Sequence, residues 1–108
     1  MRRYPVDFKT EALNDVEGAY SFLYRNGSEV IAERFRESLS LLVNTLSTQP
    51  QLGSPYVGGY FETGKLRRIP VPGFGKWLLF YSFDGKLLTL VRLIHGSRDV
   101  GKLLADRD

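Results

Sequence analysis

The amino-acid sequence predicts an α+β domain, with an N-terminal strand and a helical hairpin packed on an antiparallel β-meander. Three observations predict it. Residues 10–46 carry apolar side chains at helical spacing, interrupted once at Asn26-Gly27. Residues 65–95 carry β-prone runs separated by turn signals. The 108 residues, 43% hydrophobic and 25% charged, suffice for one core and not two, so 1–108 reads as a single domain.

Each element follows in order. In residues 4–9, Tyr4, Val6 and Phe8 alternate with polar residues, the period of a half-buried strand, and Pro5 suits its start or edge. Thr10 is the expected N-cap of a first helix, whose stripe is Ala12, Val16, Ala19, Tyr20, Leu23 and Tyr24. Asn26-Gly27 is a left-handed stop, and Ser28 caps a second helix at once. That helix carries Ile31, Phe35, Leu39, Leu42 and Leu46 and ends near Pro50. So short a link folds the two helices into a hairpin. Residues 49–64 hold three aromatics among glycines and prolines and read as a loop. A short basic strand, Lys65 to Pro70, leads through the turn at Pro72-Gly73-Phe74-Gly75 into a strand from Lys76 to Phe83. Asp84-Gly85 is a two-residue type I′ hairpin signal, and Lys86 to His95 returns. The last two strands are apolar on both faces. The hairpin covers one, and an uncovered second face would be a binding surface. The tail after Arg98 holds at most a short helix around Leu103 and Leu104.

Composition excludes several chemistries. There is no cysteine, hence no disulfide, no thiolate nucleophile and no cysteine-ligated metal, and the single histidine, His95, builds no multi-histidine site. No metal or cofactor is expected. No apolar run approaches the roughly 20 residues of a membrane span. The basic start, Met1-Arg2-Arg3, lacks a following signal-peptide stretch, so the expected compartment is the cytoplasm. Pro72-Gly73-Phe74-Gly75-Lys76 lacks the spacing of a phosphate loop and is turn chemistry. The net charge of +3 divides unevenly, −2 over residues 1–62 and +5 over residues 63–108. A basic C-terminal half suits a polyanion or an acidic partner, and equally a solvated face.

The remaining constellation is basic and aromatic: Lys65, Arg67, Arg68, Lys76, Arg92 and Arg98, with His95, Tyr81 and Trp77. A metal-free ribonuclease works with such a kit. A base takes the ribose 2′-hydroxyl proton, cations meet the transition-state charge, and an acid protonates the leaving oxygen. A DNA contact or an acidic peptide would use the same residues. His95 also reads as a strand-end histidine bonded to backbone, and Arg98 as a structural partner of Asp99 or an earlier acid.

Four segments carry a family resemblance. Thr10-Glu11-Ala12-Leu13-Asn14-Asp15-Val16 resembles the first-helix opening of the RelE/ParE toxin superfamily, and Leu66-Arg67-Arg68-Ile69-Pro70-Val71 its second strand. Trp77-Leu78-Leu79-Phe80-Tyr81 resembles its third-strand pattern of aromatic-x-aliphatic-x-Tyr. Val91-Arg92-Leu93-Ile94-His95-Gly96-Ser97-Arg98-Asp99 matches the R-x-x-H-G-x-R-D ending common in ParE-like members. The resemblance implies the toxin of a type II toxin–antitoxin module, a growth inhibitor neutralised by a cognate antitoxin. ParE-like members poison DNA gyrase, and RelE-like members cut mRNA on the ribosome. Ribonuclease members carry a basic residue at an x position of the third-strand pattern, where this chain has Leu78, and often a C-terminal tyrosine, which is lacking after Arg98. The resemblance therefore favours gyrase as target. A ribosome-dependent ribonuclease is the alternative, with His95, Arg98, Arg67 and Tyr81 as its candidate catalytic residues, and an inactive antitoxin-binding module is a third reading. Arg67, Arg68, Trp77, Arg92, His95 and Arg98 form the expected target- or antitoxin-binding surface.

Overall fold

The computed structural model describes residues 2–56 and 66–105. The elements are β1 (Val6–Phe8), α1 (Thr10–Asn26), α2 (Glu29–Leu46), β2 (Ser54–Pro55), β3 (Leu66–Val71), β4 (Phe74–Phe83), β5 (Leu88–His95) and α3 (Val100–Ala105). They form the predicted α+β architecture, a helical hairpin on one mixed sheet of order β1-β5-β4-β3-β2. The meander β3-β4-β5 is antiparallel, as expected. Two strands extend it: β1 runs parallel to β5 at one edge, and the two-residue β2 flanks β3 at the other. Of the residues named above, Met1 and Lys65 lie outside the described residues, as do two of the three loop aromatics, Tyr60 and Phe61.

Local chemistry explains the boundaries. Lys9, and not Thr10, is the N-cap of α1, and it offers no side-chain bond. Ser28 caps α2 as expected, its hydroxyl accepting from the Ile31 N–H at 3.2 Å. Gly27 is not left-handed. Its φ is −121°, its N–H donates to the Leu23 carbonyl, and a Cβ there would lie 2.8 Å from that oxygen. Close approach therefore selects this glycine. Helix α2 stops at Leu46, four residues short of Pro50. The β3–β4 turn is confined to Pro72 and Gly73, since β4 already begins at Phe74. The β4–β5 turn is not a two-residue hairpin, because Phe83 pairs with Leu88 across four loop residues. The Asp84 carboxylate makes the turn by accepting from the Lys86 and Leu87 N–H groups at 2.8 Å each. Those bonds hold its pKa below the usual carboxylate value. Gly85, with φ +98°, occupies the left-handed position the loop requires.

Two apolar clusters sandwich the sheet. Phe35, Leu39, Leu42 and Leu46 of α2 and Ala12 and Ala19 of α1 meet Val71, Leu79, Tyr81, Leu88, Leu90 and Leu93. On the other face Leu66, Phe80, Val91 and Ile94 meet Leu104 of α3, with Tyr56, Leu78, Val100 and Leu103 packed alongside. The second face is thus not the open binding surface the strand composition implied. The short tail helix and Tyr56 cover it, with the Tyr56 ring edge-on to Phe80 at 5.2 Å. A bulge in the β4–β5 ladder makes this possible. Phe80 pairs with Arg92 but Tyr81 pairs with Leu90, which leaves Val91 as the extra residue. Strict alternation would send Leu90 and Leu93 to opposite faces, whereas the bulge puts both in the helix-side core.

Candidate functional site

The motif at the end of β5 organises the site. Trp77 of β4 and His95 of β5 are cross-strand partners, and their rings meet edge to face at 4.9 Å. The indole is wedged from the helix side by Phe35 at 5.8 Å and Phe22 at 6.3 Å. His95 Nδ1 accepts from the Ser97 N–H at 3.1 Å and contacts the Ser97 hydroxyl at 2.7 Å. A ring whose Nδ1 accepts carries its proton on Nε2, so Nε2 presents a donor. The Gly96 N–H donates to the Lys76 carbonyl at 2.6 Å, and the Arg98 N–H to the His95 carbonyl at 2.9 Å. These bonds turn the chain off the sheet. Gly96 does so without a positive φ, and a Cβ there would lie 3.4 Å from the Lys76 carbonyl oxygen.

Asp99 fixes the tail by accepting from the Lys102 N–H at 3.1 Å, which caps α3. Arg98 takes no part in this. Its side chain is exposed and pairs with neither Asp99 nor any other acid among the described residues. Arg92 is the opposite case. Its Nε and Nη2 grip both oxygens of Asp15 at 2.6 and 3.0 Å, and its Nη1 reaches the Leu103 carbonyl at 3.4 Å. The Asp15 bond, opposed by burial, holds the guanidinium above its already high pKa. Asp15 also accepts from the Leu93 N–H at 2.9 Å, a group on the stretch of β5 that β1 leaves unpaired. The Asp15–Arg92 pair thus ties α1, β5 and α3 together. Both side chains are only 17% exposed, and breaking a pair so shielded costs about 3 kcal/mol.

The other named residues lie elsewhere. Arg67 Nη1 donates to the Gly53 carbonyl at 2.5 Å and the Gln51 carbonyl at 3.2 Å, pinning the segment before β2. Arg68 is exposed on β3, opposite Ser54. Tyr81 is completely buried, and its oxygen accepts from the Gly53 N–H at 2.7 Å. Burial raises its pKa despite the Gly53 bond and the nearby Arg67.

Over residues 6–100 the chain matches the family model described as the ParE toxin of the type II toxin-antitoxin system parDE. The chain belongs to the ParE toxin family. Among solved structures it is similar to a chain of the chromosomal ParDE system from P. aeruginosa, with 14% identity over 86% of this chain and 96% of that one and a TM-score of 0.68. It is also similar to a chain of the E. coli DinJ-YafQ toxin-antitoxin complex, with 18% identity, 88% and 94% coverage and a TM-score of 0.56. A YafQ mutant from E. coli gives 17% identity, 88% and 96% coverage and a TM-score of 0.54. At these identities the likeness to the structures is one of fold.

In this ParE-family chain, Trp77, Arg92, His95 and Arg98 line one groove of about 360 Å³ between α1 and the end of β5. Arg67 and Arg68 do not. The opposite wall comes from α1 residues absent from the expected surface: Asn14, Gly18, Phe22 and Arg25. Their spacing of four, four and three is a helical stripe beside the core stripe, and that spacing was the available signal. Gly18 is exposed in the helix interior, and a Cβ there would touch nothing within 4 Å. An interior helix glycine costs about 1 kcal/mol relative to alanine, and no packing among the described residues requires this one. A second groove, about 730 Å³ and mainly apolar, runs between α1 and α2 beside Leu13, Val16, Tyr20, Leu39 and Val43. Among the described residues no helix is long and apolar enough to cross a membrane.

Proposed function

We propose that this toxin inhibits growth in the cytoplasm by poisoning DNA gyrase and is held silent by a cognate antitoxin. The observation that carries the choice of target is the environment of residue 78. Leu78 packs in the apolar cluster with Phe80 and Val91, at the place where a metal-free ribonuclease needs a cation against the developing phosphorane charge. Two further features support it. Tyr81 is sealed in the core, and Arg67 is committed to backbone carbonyls, so neither is free for proton or charge transfer. His95 presents a donor at Nε2 and lacks a facing base among the residues that line its groove. Poisoning a partner enzyme needs a binding surface and no acid–base pair. The antitoxin's seat in this reading is the apolar groove on α1 and α2. Leu13 at 49% and Phe8 at 38% exposure line a concave apolar strip of the kind a partner helix fills.

The ribonuclease reading keeps one observation in its favour, the placement of His95 and Arg98 on the same groove. Both activities are tested on one refolded preparation. We expect inhibition of gyrase supercoiling with accumulation of cleaved DNA, and no codon-specific cleavage of mRNA on translating ribosomes. Arg98→Ala, whose side chain supports nothing else in the fold, should reduce the inhibition without lowering thermal stability. A-site cuts that vanish in Arg98→Ala, with supercoiling untouched, make the chain a ribonuclease instead. Silence in both assays makes it an antitoxin-binding module.

A further inference from the structure

We propose that the groove between α1 and the β4–β5 end is a binding site for a single-stranded nucleic-acid segment, seating one unpaired base with the flanking phosphates on its rim. Three independent observations converge there. The first is charge. Asp15, the one acid in the lining, is consumed by Arg92, while Arg25 and Arg98 on the rim pair with no acid among the described residues. Two unopposed guanidinium groups beside the Nε2 donor of His95 select an anion. The second is the aromatic wall. Phe22 is 49% exposed and Trp77 half-buried, the two set edge to face at 6.3 Å, so a flat ring can enter against them. Cations around a stacking surface are how sequence-tolerant single-strand sites are built. The third is Gly18, whose missing side chain leaves open space on the α1 wall that none of the described residues fills. A helix keeps such a glycine where another molecule comes close to its backbone. The volume of about 360 Å³ is at the small end of ligand sites, and its lining is as polar as it is apolar, unlike the groove between α1 and α2.

The site is independent of which enzyme the toxin poisons, and direct binding tests it. Fluorescence anisotropy is measured with the purified chain, a labelled oligo-dU, the matching oligo-U and a duplex of the same length. We expect both single strands to bind more tightly than the duplex, because a paired base cannot enter. The DNA and RNA arms distinguish the source, since a preference for oligo-U shows that the 2′-hydroxyl is read. Arg25→Gln and Arg98→Gln should each flatten the dependence of log K on log salt by about 0.7. Phe22→Ala should weaken binding about tenfold, the effect of one lost stacking contact. Gly18→Leu is the decisive variant. It should raise the melting temperature, because leucine is the better helix former, and weaken single-strand binding tenfold or more, so that unfolding does not account for the loss. The proposal is overturned if neither single strand binds, if the duplex binds as well as the single strands, or if Gly18→Leu binds like the parent. It is also overturned if only an acidic peptide competes for the groove. Loss of gyrase inhibition with oligonucleotide binding intact would remove the gyrase reading and leave the groove standing.

Discussion

Tyr81 shows how one residue type serves structure where the sequence offered it to chemistry. The third-strand pattern ends in this tyrosine, and a phenol beside arginines is a reasonable proton carrier on paper. In the fold its ring fills the helix-side core, and its oxygen is the acceptor for the Gly53 N–H. The approach is so close that a Cβ on Gly53 would sit 2.6 Å from the phenol oxygen. Tyr81→Phe therefore strands a buried amide. We expect a loss of about 2 kcal/mol in urea unfolding. The phenol also makes a pH prediction. Burial raises its folded pKa above the ordinary value of 10.0, so its contribution to stability is complete below pH 10 and is lost as pH rises through the raised value. The parent should lose stability over that alkaline range by an increment that Tyr81→Phe lacks. Ultraviolet titration of the folded chain should show a late-ionising tyrosine that is missing from Tyr81→Phe.

At the scale of elements, α3 has the largest effect for its length. It is six residues long and starts from the Asp99 cap, yet it closes the second face of the sheet through Leu104, which is 1% exposed. Leu104→Ala should lower stability by about 3 kcal/mol, the usual penalty for a leucine-sized cavity, as read in a denaturant titration. Leu103 lies on the same helix but is half-buried, and its substitution should cost less. Helix α3 is also where reading by periodicity stops. Six residues with two adjacent leucines show no period, and too few turns are present for a helix to persist without tertiary contacts. The same limit hid β1's partner. Alternation identifies Val6–Phe8 as a strand, but nothing in three residues says that it runs parallel beside Leu88–Leu90.

For the whole molecule, what matters is which surface is left for partners. The sheet is covered on both faces, so most of the free apolar area among the described residues lies on the helical hairpin, with the groove between α1 and α2 as its concave part. An antitoxin segment seated there binds only the folded state. At a hundredfold excess over its Kd it should stabilise the toxin by about 2.7 kcal/mol, visible as a melting point raised by roughly 10 °C. Leu13→Glu should abolish that shift while leaving the toxin alone within about 0.5 kcal/mol of the parent, because Leu13 is half exposed and only lines the groove. An antitoxin that stabilises Leu13→Glu as well as it does the parent seats elsewhere.

The sequence by itself determined the helical hairpin, the meander and the family. Each rests on information that is local: a period of 3.6 in α1 and α2, β-branched and aromatic runs in β4 and β5, and a contiguous motif from Arg92 to Asp99. The tertiary structure alone decided the division of labour among the basic residues. Arg92 and Arg98 flank the same motif, but the Asp15 carboxylate, 77 positions away in sequence from Arg92, takes one as a structural clamp and leaves the other on the rim. It also brought Asn14, Gly18, Phe22 and Arg25 of α1 against the end of β5. No spacing rule links residues so far apart, because the contact exists only once the hairpin has folded onto the sheet. The bulge at Val91 works the same way, since which face a β5 side chain occupies depends on how β5 pairs with β4.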